Sequence, residues 1–109
     1  MILLQIYFAI PQENAGAFEA MFADAYVPAL EKQAGYAGST LLRLFPPATT
    51  EEIGGATTPF NYQMELRFDT EANRRLWAAS AEHAVVWPLA QGLASEVAWR
   101  GYDVMESSG

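Results

Sequence analysis

The chain has 109 residues, a length that suits one domain with one modest core. Thirteen acidic against six basic residues give a net charge of -7. That balance leaves no basic stripe for nucleic acid and disfavours an anionic membrane surface. Cysteine is absent, which excludes a disulfide framework, a thiolate nucleophile and a thiolate metal site, and makes a cytoplasmic location the expectation.

The apolar fraction is 51% and the charged fraction 17%, so some apolar surface is expected to meet a partner or a ligand. Residues 2–10 read as a strand, with Ile2, Leu4, Ile6, Phe8 and Ile10 on one face at period two. The other face carries Leu3, Gln5, Tyr7 and Ala9 and is mixed. Gln5 interrupts this first apolar run and Pro11 ends it, so no membrane span is expected. The opening “MILLQ” lacks the basic region and the cleavage site of a signal peptide.

Residues 14–33 predict a helix capped by Asn14, with Phe18, Met21, Phe22, Ala25 and Ala29 at helical spacing. Pro28 lies inside this pattern, and a kink is expected near Tyr26–Val27. Gly35 suits the C-terminal cap. A second strand is predicted over 36–45. The segment “PPATTEEIGGATTP” (46–59) reads as a long loop. Residues 60–68 alternate as a third strand: Phe60, Tyr62, Met64, Leu66 and Phe68 oppose Asn61, Gln63, Glu65 and Arg67. Which of these faces looks into a cavity is left open by the pattern. Asp69 or Thr70 caps a helix to about residue 79, a second helical piece covers 81–94 with Pro88 inside it, and 96–105 forms the last strand. The tail 106–109 is expected to be flexible.

The order βαββαβ predicts an α+β, ferredoxin-like domain spanning 1–109: a four-stranded antiparallel sheet with helices on one face. The uncovered sheet face is too apolar to be fully solvated, so a two-fold homodimer with sheets face to face is expected. The space between the sheets would then hold a small apolar or aromatic ligand.

The stretch “ELRFDTEANRRLWAASAEH” (65–83) resembles the antibiotic-biosynthesis-monooxygenase branch of the dimeric α+β barrel proteins. In that branch an aromatic residue at the end of the third strand begins a segment closing with Ser-Pro-Glu-His. Phe68 takes the aromatic position, and Ser80, Ala81, Glu82 and His83 match the closing motif except for its proline. “YVPALEKQAGYAGSTLLR” (26–43) is similar to the EthD-like branch, in which His-x-Pro-Leu precedes a Pro-Gly turn. Tyr26 stands at the histidine position, Pro28 matches, and Ala34–Gly35 stands for Pro-Gly. The resemblance implies oxidation of polycyclic phenols or quinols by dioxygen, without metal or flavin. Other branches of the superfamily isomerise or cyclise small molecules, degrade haem or have no known activity. The haem degraders' first-strand Asn and third-strand Trp have no counterpart, since Tyr7 and Phe68 stand there.

His83, the single histidine, is the expected base, because imidazole exchanges protons near neutral pH. Its sequence neighbour Glu82 points about 100° away on a helix and is a poor orienting partner. The alternative is an ordinary capping or half-exposed helix histidine. Tyr26 is the second catalytic candidate, as an acid or hydrogen-bond donor, against the alternative of a core tyrosine beside a kink. Gln5, Tyr7 and Arg43 are expected to supply polar groups in the cavity, Tyr7 and Arg43 orienting a substrate oxygen. Trp77, Trp87 and Trp99 are expected to wall it and exclude water, with Trp99 facing the space between the sheets. One histidine and no clustered carboxylates point to no metal site. A non-catalytic ligand-binding or accessory protein, and an isomerase or cyclase needing no oxygen, are the competing readings.

Overall fold

The computed structural model describes all 109 residues. Strand β1 (Ile2–Ala9) and strand β3 (Tyr62–Phe68) pair antiparallel at the centre, flanked by β2 (Tyr36–Arg43) and β4 (Glu96–Asp103), in the order β2-β3-β1-β4. Period-two patterning sorts the two faces. Ile6 and Phe8 from β1 and Tyr62, Met64, Leu66 and Phe68 from β3 are buried beneath the helices. Gln5, Tyr7, Gln63, Glu65 and Arg67 occupy the face that no helix covers. All fifteen buried residues are hydrophobic, so the core is held chiefly by apolar burial and packing.

The first helical segment is interrupted. A 3-10 turn (Gln12–Asn14) leads into α1 (Ala15–Met21), a π turn (Phe22–Tyr26) follows, and α2 (Val27–Glu31) completes it. Asn14 does not cap α1; its side-chain amide donates to the Leu93 carbonyl at 3.1 Å. The expected kink takes the form of the π turn, closed by Val27 N–H donating to Phe22 O. Pro28 explains it: proline has no N–H for the carbonyl of Asp24, and its ring crowds that carbonyl, so the preceding turn widens. Phe18, Phe22, Tyr26, Ala29 and Leu30 are buried along this segment.

Helix α4 (Glu71–Ala78) starts at Thr70, whose hydroxyl accepts the Asn73 amide at 3.2 Å. Helix α5 (Ala81–Gly92) starts at Ser80, which accepts the His83 amide at 3.1 Å and donates to the Trp77 carbonyl at 2.7 Å. One serine therefore caps both helices and sets the corner between them. The 46–59 stretch is not a plain loop: Pro47–Glu52 form a short helix, α3, with Pro47 in its first turn, a position that does not need an N–H.

Gly35 reverses the chain from α2 into β2 at a φ of +75°. Its carbonyl accepts the Asp69 amide at 2.9 Å, and a Cβ there would sit 2.1 Å from Asp69 Oδ1. Gly35→Ala should therefore lower unfolding stability by about 1–3 kcal/mol. Gly16 in α1 has nothing within 4 Å of such a Cβ, and Gly16→Ala should raise stability by about 0.5–1 kcal/mol. Urea denaturation of the two variants checks the opposite signs.

Candidate functional site

The helices cover the centre of the sheet more completely than its β4 edge. On the helix side, β3 buries every residue from Tyr62 to Phe68 at period two, whereas Trp99, on the same side of β4, is 60% exposed. Between Trp99 and the helices lies a pocket of about 210 Å³ lined by Leu4, Ile6, Tyr26, Arg74, Trp77, Ala78, His83, Trp87 and Trp99.

Three elements bring its chemistry together. Tyr26 comes from the π turn, Arg74 and Trp77 from α4, and His83 and Trp87 from the first half of α5. The Ser80 corner aims His83 inward. Its imidazole stacks on Trp87 (centroids 6.1 Å apart, planes 13° apart) and meets Trp77 edge-on at 5.0 Å. Trp87 in turn meets Trp99 edge-on at 6.0 Å. Such offset and T-shaped pairs satisfy the ring quadrupoles and hold the indoles in fixed orientations.

Tyr26 is fully buried, between Phe22 at 6.3 Å and Trp77 at 5.8 Å, and its hydroxyl has no hydrogen-bond partner within the protein. An unsatisfied buried hydroxyl is costly and rare, and is the one such side-chain atom in this chain. Burial pushes its acidity far down, so the phenol stays protonated and acts as a donor, never a base, at neutral pH. Burial has the opposite effect on His83, lowering its pKa and keeping the imidazole neutral at pH 7, ready to accept a proton. Glu82 does not orient it: that carboxylate accepts the side-chain amide of Gln33 at 2.8 Å, which itself also reaches the Ala29 carbonyl at 3.0 Å.

Arg74 is the lining residue that sequence reasoning missed. Its spacing, three residues before Trp77 on α4, places it on the same helix face, and that offset was the available signal. It binds Glu71 through Nε at 2.8 Å and Nη2 at 2.6 Å. The Arg74 hydrogen bonds hold the Glu71 carboxyl at about 2, so the pair is ionised throughout the working range.

The other expected site residues lie elsewhere. Trp99 pairs with Ile6 on the helix side of the sheet, not on the face open to a second sheet; the alternation along β4 puts it there. Gln5 and Tyr7 do lie on that open face, in a polar network. Tyr7 donates to Gln5 Oε1 at 2.6 Å, and Gln5 and Gln63 both donate to Glu65, at 3.0 and 3.1 Å. Arg67 donates to Thr40 at 3.0 Å, and Arg100 sits 5.9 Å over the Tyr7 ring. Arg43 makes no hydrogen bond to this network, although it lines a cavity of about 400 Å³ together with Tyr7 and Gln63. It pairs with Tyr62 at the end of β2 and reaches Glu19 of α1 at 3.6 Å, while Tyr62 donates to the same carboxylate. The aromatic pocket is thus within the chain and across the sheet from the intersheet space expected from sequence. No cluster of three His, Asp or Glu side chains converges anywhere in the chain.

Two measurements follow. Tyr26→Phe deletes the unsatisfied hydroxyl and should raise stability by about 1 kcal/mol in urea denaturation, whereas a hydroxyl with a hidden partner would make it destabilising. For His83, the unfolded chain binds a proton at the ordinary value of 6.5 and the folded chain only at lower pH. Stability from this group is therefore complete above 6.5 and is lost as pH falls below it. Wild type should show this step before the carboxylates titrate, and His83→Gln should lack it.

No protein-family model matches the sequence. No curated protein matches it either. Solved structures do match the fold. SnoaB, a cofactor-independent oxygenase from Streptomyces nogalater, superposes with a TM-score of 0.73 at 15% identity, covering 97% of this chain and 94% of that one. An EthD family protein from Bacillus halodurans gives 0.68 at 16% identity over 96% and 100%. A dimeric ferredoxin-like protein of unknown function from Thermobifida fusca gives 0.70 at 8% identity over 94% and 90%. The chain therefore has the ferredoxin-like fold that these structures share.

Proposed function

We propose that the chain is a cofactor-independent monooxygenase of an aromatic phenol or quinol, acting in the pocket between the helices and the sheet. The observation that carries this reading is the pairing of an unpartnered, buried Tyr26 hydroxyl with a neutral His83 in one indole-walled pocket. The fold shared with an oxygenase supports it by analogy, which is a weaker warrant than the site.

His83 takes the phenolic proton of the substrate, and Tyr26 donates its hydroxyl proton as a hydrogen bond to the resulting oxyanion. The electron-rich ring then gives electrons to dioxygen, and a carbon–oxygen bond forms at the activated ring carbon. For a methylene-bearing anthrone the peroxide loses water and leaves a carbonyl. One oxygen atom stays in the product, the other leaves as water, and the substrate supplies all the electrons. The indoles exclude bulk water from the anion.

A second copy completes the assembly in this reading. The open sheet face carries Leu3, Ala9 and Leu42 beside its satisfied polar network, a mixture that suits a wet two-fold interface. Light scattering at micromolar concentration should give a dimer mass; a monomer contradicts the dimer. No helix of the chain is long and apolar enough to cross a membrane.

Oxygen uptake with a panel of anthrones and hydroquinones tests the chemistry. His83→Ala should lower kcat/KM by about 10²–10⁴-fold, with the wild-type rate level at pH 7 and falling only at a pH below the ordinary imidazole value, because burial lowers the folded-state pKa. Equal turnover by wild type and His83→Ala removes His83 from the mechanism. One observation favours the competing, non-catalytic reading: Glu82 is engaged by Gln33, and aromatic contacts rather than a carboxylate hold the imidazole. Binding without turnover across the panel establishes that reading, and turnover without oxygen uptake establishes an isomerase or cyclase.

A further inference from the structure

The aromatic pocket is small for its proposed task. At about 210 Å³ it falls below the roughly 300–1,000 Å³ usual for small-molecule sites. A second groove of about 380 Å³ adjoins it and shares Leu4, Arg74 and Trp99 as lining residues. Together the two fall within that range. The groove also touches Glu71, Gly101, Tyr102 and Asp103, so it is far more polar than the pocket.

Gly101 lies where the two meet. It pairs with Leu4 and stands two residues beyond Trp99 on the same side of β4. A Cβ built on it has nothing within 4 Å, and its backbone is not in the left-handed region. Glycine in a strand weakens the strand and often marks a close approach by a ligand. Here no conformational need explains it, since any L-residue fits the backbone. What the missing side chain leaves is a notch beside the exposed Trp99, leading from the indole pocket past Leu4 to the groove.

The groove has little net charge to offer. Glu71 is shared between Arg74, which lines the groove, and Arg75 just outside it, at 2.6 and 3.2 Å, so these three carry one net positive charge, offset by the carboxylate of Asp103 on the lining. A neutral, hydrogen-bonding tail fits it better than an anion or an amine. Resting on the function proposed above, we infer that Gly101 determines specificity. It admits substrates in two parts: an aromatic head bound in the tryptophan pocket and a neutral hydroxylated tail laid over Gly101 into the polar groove.

All three tryptophans of the chain line the pocket, so quenching of intrinsic fluorescence reports binding without any turnover. The probes are naphthol and a naphthol bearing a hydroxyhexyl chain. Wild type should bind the chain-bearing probe about tenfold tighter or better, the scale expected for several additional well-placed atoms. Gly101→Leu should bring the two affinities within about twofold of each other, with plain naphthol unchanged, and Gly101→Ala should fall between. Circular dichroism melting verifies that each variant is folded; if Gly101→Leu is not, Gly101→Ala decides. Equal affinities in wild type, or a preference that survives in the folded variant, overturn the inference. The oxygenase reading is scored separately by oxygen uptake, so a binding preference without oxygen uptake sinks that reading and leaves this one standing.

Discussion

The structure depends on a mismatch between a four-stranded sheet and the helical layer that covers it. Two helical segments of this length bury the helix-facing residues of β3 fully and those of β1 in part, and then run short at β4. Met64, Leu66 and Phe68 are sealed, while Trp99 is left 60% exposed. The pocket is the space where that cover ends. It needs no special cavity-forming element, only indoles large enough to bridge the gap from helix to edge strand.

Two local constraints turn this gap into a site. Pro28 cannot continue the α-helical hydrogen-bond ladder, the preceding turn widens, and Tyr26 is buried at the end of that turn facing the pocket without a partner. Ser80 caps two helices at once and sets the corner that brings His83 against Trp77 and Trp87. Neither residue touches the pocket. Both act by fixing backbone, which is the more rigid way to hold a donor and an acceptor in place. The unsatisfied hydroxyl is a cost to folding, and such costs concentrate where function keeps them.

The fold was largely legible in the sequence because its signals are strong and local. Alternation marked β1 and β3, Gly35 and either Asp69 or Thr70 marked helix ends, and the βαββαβ order left few topologies. The short helix at Pro47–Glu52 was missed because its residues are proline, threonine and glutamate with no apolar stripe. The site was legible only in part. His83, Tyr26 and the tryptophans were picked out, yet their pocket was expected on the opposite face of the sheet. Periodicity gives two faces without saying which one a cavity uses, and Trp99 was assigned to the wrong one. Arg43 belonged to an ion pair with Glu19, a contact across 24 residues that no spacing rule reveals. Arg74 went unnoticed because an arginine between an asparagine and a second arginine reads as a solvated helix face.

The central claim is that the helix-side pocket, and not the intersheet space, receives an aromatic ligand between Tyr26 and His83. A crystal structure of the protein soaked with naphthol tests it most directly. Ring density is expected among Trp77, Trp87 and Trp99, with the naphthol oxygen within about 3 Å of the Tyr26 hydroxyl and of a His83 ring nitrogen. Ligand density on the Gln5–Glu65–Arg67 face, or an empty helix-side pocket at saturating ligand, would contradict it.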